Sequence, residues 1–488
     1  MIAPLLSALL LALATMVPGC APLTLVALAP LFSALSPHPW FATKKRFGGW
    51  KTGYLFGLFY GFAQLAWIFS LTAKWTASVP LALIPYLLAT VLFALHFGLF
   101  GWLAGKLFLN GRPWAIPLLW AGVEVFRSYI PIFAFPWGLL ATPWHIWPTA
   151  MASAGVGTIY LTGGLIALFN LALVQRWKWA LVGIPLSVFI WPFLGWPTGP
   201  RRAVSVAVIQ PGVDMAFGDD QTLGFRLGRA INLAIGESGS PDLIVLPEGV
   251  ARGGSSLPPQ APFAFPSSPV LFGGQRGSGP FFQSAYAWDG RVWRAIDKTR
   301  LVIFGEFVPG RDLLPFLQAF RLPTGDLTAG TGGVRSLPFP KMRVGPVLCF
   351  EALFPDISGR MGADGAQMLA IMSIDDWFMG TAAPDQLQSA AAWRAVETGL
   401  PTVRAASTGR SLILTSAGRV VSDGGYGYGE VLRATLEIPD HARSPWLLAL
   451  FPSVAVLSGL VMPWLPRRPR GSPDTPESDP TPEPVGPL

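Results

Sequence analysis

Hydrophobic and polar residues are distributed very unevenly along this 488-residue chain. Eight stretches are almost continuously apolar, and each approaches the roughly 20 residues with which a helix crosses a bilayer core of about 30 Å. They are residues 2–18, 22–36, 53–73, 79–105, 113–129, 155–175, 179–196 and 446–465. The pattern predicts a transmembrane domain of about seven helices over 1–197 and a C-terminal transmembrane helix over 446–465. The first two stretches are short, so a tilted or re-entrant hairpin also fits them.

The segment between these regions, 201–440, has the pattern of a soluble domain. Short runs rich in β-branched residues alternate with amphipathic stretches, which favours a layered α/β domain. The predicted strands are 204–210, 243–246, 269–274, 283–288, 292–296, 344–349 and 368–373. The predicted helices are 221–237, 354–361 and 386–399, the last with polar residues on one face.

Lysine and arginine residues mark one side of the predicted membrane domain. Eleven lie between segments two and three, four and five, and six and seven, or after segment eight: Lys44, Lys45, Arg46, Lys51, Lys106, Arg112, Arg176, Lys178, Arg467, Arg468 and Arg470. Only Lys74 and Arg127 lie on the alternate side before the soluble domain begins. Because basic residues concentrate in cytoplasmic loops, we expect both chain ends in the cytoplasm and the 201–440 domain outside it. In a bacterium with two membranes, this domain is periplasmic and the chain is a multi-pass protein of the inner membrane.

Composition agrees with a membrane protein. Hydrophobic residues make up 51% of the chain and charged residues only 13%, about half the usual globular share. The net charge of +8 does not indicate nucleic-acid binding, because the basic residues flank apolar segments and form no stripe with interleaved aromatics. Two cysteines, Cys20 and Cys349, are too few for a disulfide framework.

Two segments lack a regular pattern. Residues 466–488 are rich in proline and, after the first arginines, acidic, which predicts a disordered cytoplasmic tail. Residues 308–330 mix apolar and charged positions in a way that suits a mobile lid at the membrane surface. An amphipathic helix packed on the domain core is the alternative for that segment.

Three chemically capable residues stand at predicted strand ends. Glu248 closes the strand 243–246, Lys298 follows the strand 292–296, and Cys349 lies where a strand turns into a helix. A thiol needs a base or a nearby positive charge to become a nucleophile. Glu248 is suited to take the proton and Lys298 to stabilise the thiolate and the oxyanion that follows. Each residue alone is weak evidence, since a lone cysteine at a strand end is usually a core residue.

Taken together with their flanking residues, the three positions resemble a known family. Leu246-Pro-Glu248, Lys298-x7-Glu306-Phe-Val-Pro and Leu-Cys349-Phe-Glu351 resemble the three catalytic blocks of the nitrilase, or carbon–nitrogen hydrolase, superfamily. When the eight apolar segments are considered together with these blocks, the chain resembles the apolipoprotein N-acyltransferase family in particular. This resemblance extends over nearly the whole chain.

The resemblance implies a multi-helix transmembrane bundle that carries an αββα sandwich. It also implies a two-step reaction, in which a fatty acyl chain passes from a phospholipid to Cys349 as a thioester. The chain then passes to the N-terminal amine of a diacylglyceryl-cysteine apolipoprotein. Glu248 would be the general base, Lys298 the oxyanion stabiliser, Glu306 and Glu351 supporting acids, and the Phe350 N–H an oxyanion donor. No metal or diffusible cofactor is implied.

Several positions around these blocks depart from the usual family residues. Phe350 stands where tyrosine is typical, Leu246 where tryptophan is typical, Ile374 where asparagine is typical and Leu387 where histidine is typical. Two other functions therefore stay open: a related membrane amidase or acyltransferase with another acceptor, as in homologues linked to conjugal transfer, and a catalytically idle scaffold. Retention of Glu248, Lys298 and Cys349 weighs against the scaffold.

Overall fold

The apolar parts of the chain form a bundle of helices. The computed structural model describes residues 2–40, 48–131, 133–194, 200–215, 220–236, 239–251, 254, 257–311, 322 and 325–466. Its α-helices are α1 Ile2–Met16, α2 Thr24–Ala27, α3 Ala29–Leu35, α4 Gly49–Gln64, α5 Ala66–Thr76, α6 Val79–Leu109, α7 Ile116–Tyr129, α8 Pro148–Met151, α9 Ala154–Gln175, α10 Lys178–Ser187, α11 Trp191–Leu194, α12 Asp220–Gly236, α13 Pro355–Ala363, α14 Ala383–Thr398 and α15 Pro445–Val461. Each of the eight apolar stretches falls on one or more of them.

Not every helix is long enough to cross a bilayer. Within the described residues, three helices have the length and apolar character for it: α6, α9 and the C-terminal Pro445–Trp464. A fourth span results if α4 and α5, which bend by 46° at their junction, cross as one. The first two apolar stretches form the shorter helices Ile2–Met16 and Ala21–Leu35. Eight full crossings therefore stay a prediction.

The last helix packs into the middle of the bundle. The α15 backbone at Ala455 approaches Gly122 of α7 so closely that a Cβ on that glycine would lie 2.6 Å from the Ala455 carbonyl oxygen. Phe451 of α15 covers Gly157 and Gly164 of α9 in the same way. Small residues permit such close helix contacts in a membrane, and here they bring together segments separated by about three hundred residues of sequence.

The segment between the apolar regions forms two six-stranded mixed sheets. The strands are β1 Arg201–Gln210, β2 Leu243–Val245, β3 Val270–Arg276, β4 Phe282–Trp288, β5 Trp293–Asp297, β6 Leu337–Phe339, β7 Met342–Leu348, β8 Met368–Ser373, β9 Thr402–Ala406, β10 Leu412–Leu414, β11 Val420–Asp423 and β12 Glu430–Pro439. One sheet has the order β12-β1-β2-β3-β4-β5 and the other β11-β10-β9-β8-β7-β6. The central strands β1–β2–β3 and β7–β8–β9 run parallel.

Alternating side chains of the strands fill three layers of core. Val206, Val208 and Val344 belong to a cluster between the two sheets. The opposite face of β1 packs against α12 through residues such as Ala207 and Leu227. The outer face of the second sheet packs against α13 and α14. The layers are therefore helix, sheet, sheet and helix, which confirms the predicted αββα sandwich beside a helical bundle.

Helix α14 joins the sandwich to the bundle. All of its residues except Asp385 are buried, including the polar ones. Gln386 Nε2 donates to Gln64 Oε1 of α4 at 2.8 Å, and the Trp393 indole donates to the Thr142 carbonyl at 3.3 Å. The polar face seen in the sequence thus contacts the helical bundle and not solvent. One continuous apolar cluster contains residues of the bundle, such as Trp120, and of the sandwich, such as Phe350.

A buried ion pair on α14 links a bundle helix to the sandwich. Arg394 and Glu397 are almost fully buried and pair at 2.6 Å. Helix α9 is interrupted at Thr158, where the backbone is not helical, and the next N–H, of Ile159, donates to Glu397 Oε1 at 2.8 Å. Arg394 donates to the Ala352 carbonyl at 2.9 Å. A break in one bundle helix is therefore connected, through two side chains, to the turn that follows β7.

Glu124 and Arg127 have separate hydrogen-bond partners, although their spacing on α7 would allow an ion pair. Glu124 Oε1 accepts from the Leu140 N–H at 2.8 Å. Arg127 donates to the carbonyls of Phe135 at 3.1 Å and Trp137 at 2.5 Å. Both side chains therefore hold the loop after α7 against the bundle. The predicted tail 466–488 beyond Pro466, and most of the predicted lid 308–330, lie outside the described residues.

Candidate active site

Glu248 lies just beyond the carboxyl end of β2. Parallel strands β1 and β3 flank β2 on both sides, so the chain leaving it is held at the sheet edge. Gly273 of β3 passes so close that a Cβ there would lie 2.7 Å from the Glu248 Cα. The Glu248 side chain is 4% exposed. A carboxylate buried to this degree needs a nearby cation or hydrogen-bond donors.

Lys298 supplies that cation. It follows β5, where its backbone N–H donates to the Gln283 carbonyl at 2.7 Å. Its ammonium is fully buried and lies 2.7 Å from Glu306 Oε1 and 3.4 Å from Glu248 Oε1. Glu306 is fixed in turn, because its Oε2 accepts from the Val302 N–H at 2.8 Å. One lysine therefore bridges the two carboxylates that the sequence motifs had singled out.

Cys349 begins the 3₁₀ turn Cys349–Leu353 directly after β7. Its φ of 46° lies in the left-handed region, which non-glycine residues enter at an energetic cost and which is often found at functional sites. The residue as a whole keeps some exposure, while its thiol lies in the buried surroundings of the other site residues. The neighbouring Phe350 is buried and its ring meets that of Phe354 edge-on at 5.2 Å.

Glu351 ties the Cys349 turn to the lysine loop. Its Oε2 accepts from the Leu348 N–H at 3.2 Å. Its Oε1 accepts from the N–H and hydroxyl of Thr299 at 2.8 and 2.9 Å, and from the Arg300 N–H at 3.2 Å. Glu351 is thus a structural clamp that holds the residues after Lys298 beside the residues around Cys349.

Burial and neighbouring charges shift the pKa values of Glu248, Lys298 and Cys349 by different amounts. Burial raises the pKa of Glu248 to about 7, with Lys298 opposing the rise and Glu306 adding to it. Burial alone would lower the pKa of Lys298, but the carboxylates of Glu248 and Glu306 outweigh it and hold that pKa above its ordinary value. Burial, reinforced by Glu248, raises the pKa of the Cys349 thiol to about 12. At neutral pH the lysine is charged, the thiol is protonated, and Glu248 titrates in the range suited to a general base.

A second polar group lies beside the sulfur of Cys349. The Ser373 hydroxyl, at the end of β8, lies 3.5 Å from the Cys349 Sγ and donates to Asp375 Oδ1 at 2.7 Å. Asp375 is fully buried and accepts two bonds from Arg404 of β9, at 2.8 and 2.9 Å. Sequence reasoning missed this trio. The Ser-x-Asp spacing after an apolar strand was a usable signal, but it did not identify Arg404 as the partner.

The structure brings the predicted acidic, basic and cysteine side chains of the site into one cluster. Lys298 is in direct contact with Glu248 and with Glu306, and Cys349 lies close enough for the charges of Glu248 and Lys298 to act on its pKa. Glu351 joins them through the backbone.

The fold and the site together define a class of protein. Two stacked mixed sheets that hold a buried Glu-Lys-Cys cluster at their strand ends are typical of carbon–nitrogen hydrolases. In agreement, residues 289–442 match the carbon-nitrogen hydrolase family, and residues 7–172 match the apolipoprotein N-acyltransferase N-terminal domain.

Relatives that match over most of the chain identify the particular family. An apolipoprotein N-acyltransferase from Allorhizobium ampelinum is 31% identical over 412 residues, which cover 76% of each chain. One from Geobacter metallireducens is 29% identical over 472 residues, which cover 85% of each chain. A carbon–nitrogen hydrolase structure from Helicobacter pylori G27 aligns at 13% identity and a TM-score of 0.37, over 52% of this chain and 92% of its own. The chain belongs to the apolipoprotein N-acyltransferase family, a family of bacterial membrane enzymes.

Proposed function

We propose that this enzyme moves a fatty acyl chain from a phospholipid, through a thioester on Cys349, to the N-terminal amine of a diacylglyceryl-cysteine apolipoprotein. The observation that carries the proposal is the buried contact of Lys298 with Glu248 and Glu306, close enough to Cys349 for their charges to act on its thiol. The cluster can remove a thiol proton and stabilise an oxyanion without exposing either charge to water.

In the first half-reaction Glu248 takes the thiol proton while the sulfur attacks the ester carbonyl of the phospholipid. The resulting oxyanion is stabilised by the Lys298 ammonium and by the Phe350 N–H, both of which act as preorganised donors. The intermediate collapses as the C–O bond breaks, and Glu248 returns its proton to the leaving alkoxide. The products are a lysophospholipid and the Cys349 thioester.

In the second half-reaction the neutral amine of the apolipoprotein attacks the thioester and Glu248 takes a proton from it. The C–S bond then breaks, the amide forms, and the proton passes from Glu248 to the thiolate. Each half-reaction leaves Glu248 in its starting state, so a single base serves both.

We further propose that the chain is a multi-pass protein of the bacterial inner membrane, with the 201–440 domain on the periplasmic side. The basic residues between the apolar segments support this orientation. The burial of α14 against bundle residues supports a site that stays next to the bilayer, where both lipid substrates are present.

The test is to trap the intermediate. The purified chain is incubated with a phospholipid whose transferable acyl chain carries a label, and label on the protein is measured before and after neutral hydroxylamine, which cleaves thioesters. Wild type should be labelled and lose the label on treatment. Cys349→Ala should remain unlabelled, and Cys20→Ala is the matched control that should label normally.

Equal labelling of Cys349→Ala would refute the thioester. The acceptor is tested separately, by offering the labelled enzyme a diacylglyceryl peptide with a free or an acetylated N-terminus. Transfer only to the free amine supports the proposed acceptor, whereas a stable thioester that is not discharged by either peptide points to another acceptor.

A further inference from the structure

A cavity of about 110 Å³ lies apart from the candidate active site. This volume is well above the roughly 10–15 Å³ that a single water needs. Its lining comes from the end of the bundle, from α14 and from the β10–β11 turn: Pro148, Thr149, Ala152, Trp191, Val396, Ala417, Arg419 and Arg443. None of these residues belongs to the Glu-Lys-Cys cluster, so the cavity is a separate place on the molecule.

Arg443 lines this cavity with a guanidinium that has no counter-ion among the described residues. Its backbone N–H donates to the Thr398 carbonyl at 2.8 Å, but its buried Nε has no hydrogen-bond partner there. The guanidinium lies directly on Gly155 of α9, where a Cβ would come within 1.3 Å of its Nη1. Burial lowers the pKa of Arg443 to about 10, and no neighbouring carboxylate opposes that change. A partly buried cation of this kind is unfavourable unless an anion joins it.

A second arginine, Arg419, lines the same cavity. Arg419 is exposed and is presented by the tight turn between β10 and β11. Gly418 in that turn has a φ of 74°, and a Cβ on it would lie 2.8 Å from the Met151 Cε and 3.0 Å from the Val396 Cγ2. The turn is therefore packed against α8 and α14, which fixes Arg419 at the cavity. Two cations and no acid among the lining residues select for an anionic ligand.

The position of the cavity along the chain indicates where that anion comes from. Arg443 precedes α15, a helix long and apolar enough to cross a membrane, by two residues. Trp446, in the first turn of α15, is 62% exposed, and Trp191 lines the cavity itself. Tryptophan at the end of a spanning helix marks the level of the lipid headgroups, and arginine near such an end anchors the helix at the same level. The apolar remainder of the lining, Pro148, Ala152 and Val396, suits the glycerol and upper acyl part of a lipid.

We propose that this cavity binds the phosphate of a membrane phospholipid between Arg443 and Arg419, as a standing ligand distinct from the acyl donor. Arg443 offers paired N–H groups to phosphate oxygens, a geometry for which guanidinium is well suited. The lipid would anchor the junction of α14, α9 and α15 at a fixed depth in the membrane.

The proposal is tested with the full-length protein in a neutral detergent. The probe is a phosphatidylglycerol with two short, ether-linked chains, which has no ester for the enzyme to transfer. Its binding is followed as a saturable rise in the apparent unfolding temperature, since a ligand that binds only the folded state stabilises it. We expect Arg443→Gln to weaken the apparent Kd at least tenfold and Arg419→Gln several-fold. Arg291→Gln, at the exposed β4–β5 hairpin, is the control and should bind like wild type.

Two further measurements separate the alternatives. The probe can also enter the active site, but that site is identical in all variants, so a difference between them reports on the cavity. Inorganic phosphate should compete only weakly; competition as strong as that of the lipid would identify a free-anion site and overturn the headgroup assignment. Equal binding of the corresponding ether lipid without a phosphate would overturn the role of the anion.

A folding defect in Arg443→Gln is controlled by Arg443→Lys, which keeps the charge but loses the paired donors. It should fold and bind the probe several-fold more weakly than wild type. Wild-type affinity in both Arg443 variants would refute the proposal. Acylation of Cys349 is measured in the same samples and should change less than twofold, so the lipid site and the proposed acyl transfer succeed or fail independently.

Discussion

Replacing Lys298 by methionine tests the central electrostatic arrangement of the site. The lysine is fully buried, and its ammonium touches Glu306 at 2.7 Å and Glu248 at 3.4 Å. Removing one partner of a buried ion pair typically costs about 3–5 kcal/mol, because the remaining charge is left without compensation. Lys298→Met should therefore lower the free energy of unfolding by an amount in this range. Losing one oxyanion donor should also slow acylation of Cys349 by roughly 10²–10³.

The stability loss should depend on pH in a defined direction. Burial already raises the pKa of Glu248 to about 7, and the charge of Lys298 opposes that rise. Without the lysine the pKa rises further, so the folded state binds more protons than the unfolded state over a wider pH range. Stability then falls as pH rises through that range. The deficit of Lys298→Met relative to wild type should be small near about pH 5 and largest near about pH 9.

The matched control is Lys341→Met. Lys341 pairs with Asp242 at 2.8 Å but is 60% exposed, and exposed pairs contribute only about 0–1 kcal/mol. Both variants lose one paired lysine, so a difference between their stabilities reports the effect of burying the ion pair. The assay is the apparent unfolding temperature from tryptophan fluorescence in detergent, measured together with the rate of Cys349 labelling by a labelled phospholipid. If Lys298→Met is as stable as Lys341→Met at high pH, or if its labelling stays within a few-fold of wild type, the reasoning is wrong.

Two other predictions concern the cysteine and the membrane topology. Ser373→Ala removes a hydroxyl that lowers the pKa of Cys349, so alkylation of Cys349 by iodoacetamide at fixed pH should slow several-fold. Ser373→Thr keeps the hydroxyl and should react at close to the wild-type rate. Unchanged alkylation of the alanine variant would show that Ser373 does not act on the cysteine. Reporter fusions at Lys45, Asn110 and Trp177 should report cytoplasm and a fusion at Ser240 the periplasm, and a cytoplasmic signal at Ser240 would overturn the proposed orientation.

Much of the fold could be predicted because its signals are local. Apolar runs identify helices, and Glu248, Lys298 and Cys349 stand at the ends of runs that do form strands β2, β5 and β7. What the sequence concealed depends on register between distant strands. Strand β12 pairs with β1 over ten residues, from Arg201–Pro439 to Gln210–Glu430. No local sequence pattern in either strand predicts this pairing.

The contact of Arg404 with Asp375 was missed because it also depends on the register between strands. Arg404 lies in β9 opposite Ile371 of β8, and this register is what brings its guanidinium to Asp375 beyond the end of that strand. In the sequence Arg404 is one arginine among many, and nothing marks it as buried. The burial of the polar residues of α14 could not be predicted for a related reason. A polar face usually indicates solvent, but here the helical bundle supplies the hydrogen-bond partners.

The position of α15 also sets an order of assembly for the newly made chain. Helices α7 and α9 leave the ribosome early, yet glycines on both of them are covered by Phe451 and Ala455, which are synthesised after the entire α/β domain. Until then these glycines of α7 and α9 lack the α15 residues that cover them in the folded chain. A chain that stops at the end of β12 would have every residue of the Glu-Lys-Cys cluster but no closed bundle beneath it. The packing of α7 against α9 is therefore completed by the segment that follows the α/β domain, so the bundle and the sandwich depend on each other for their final arrangement.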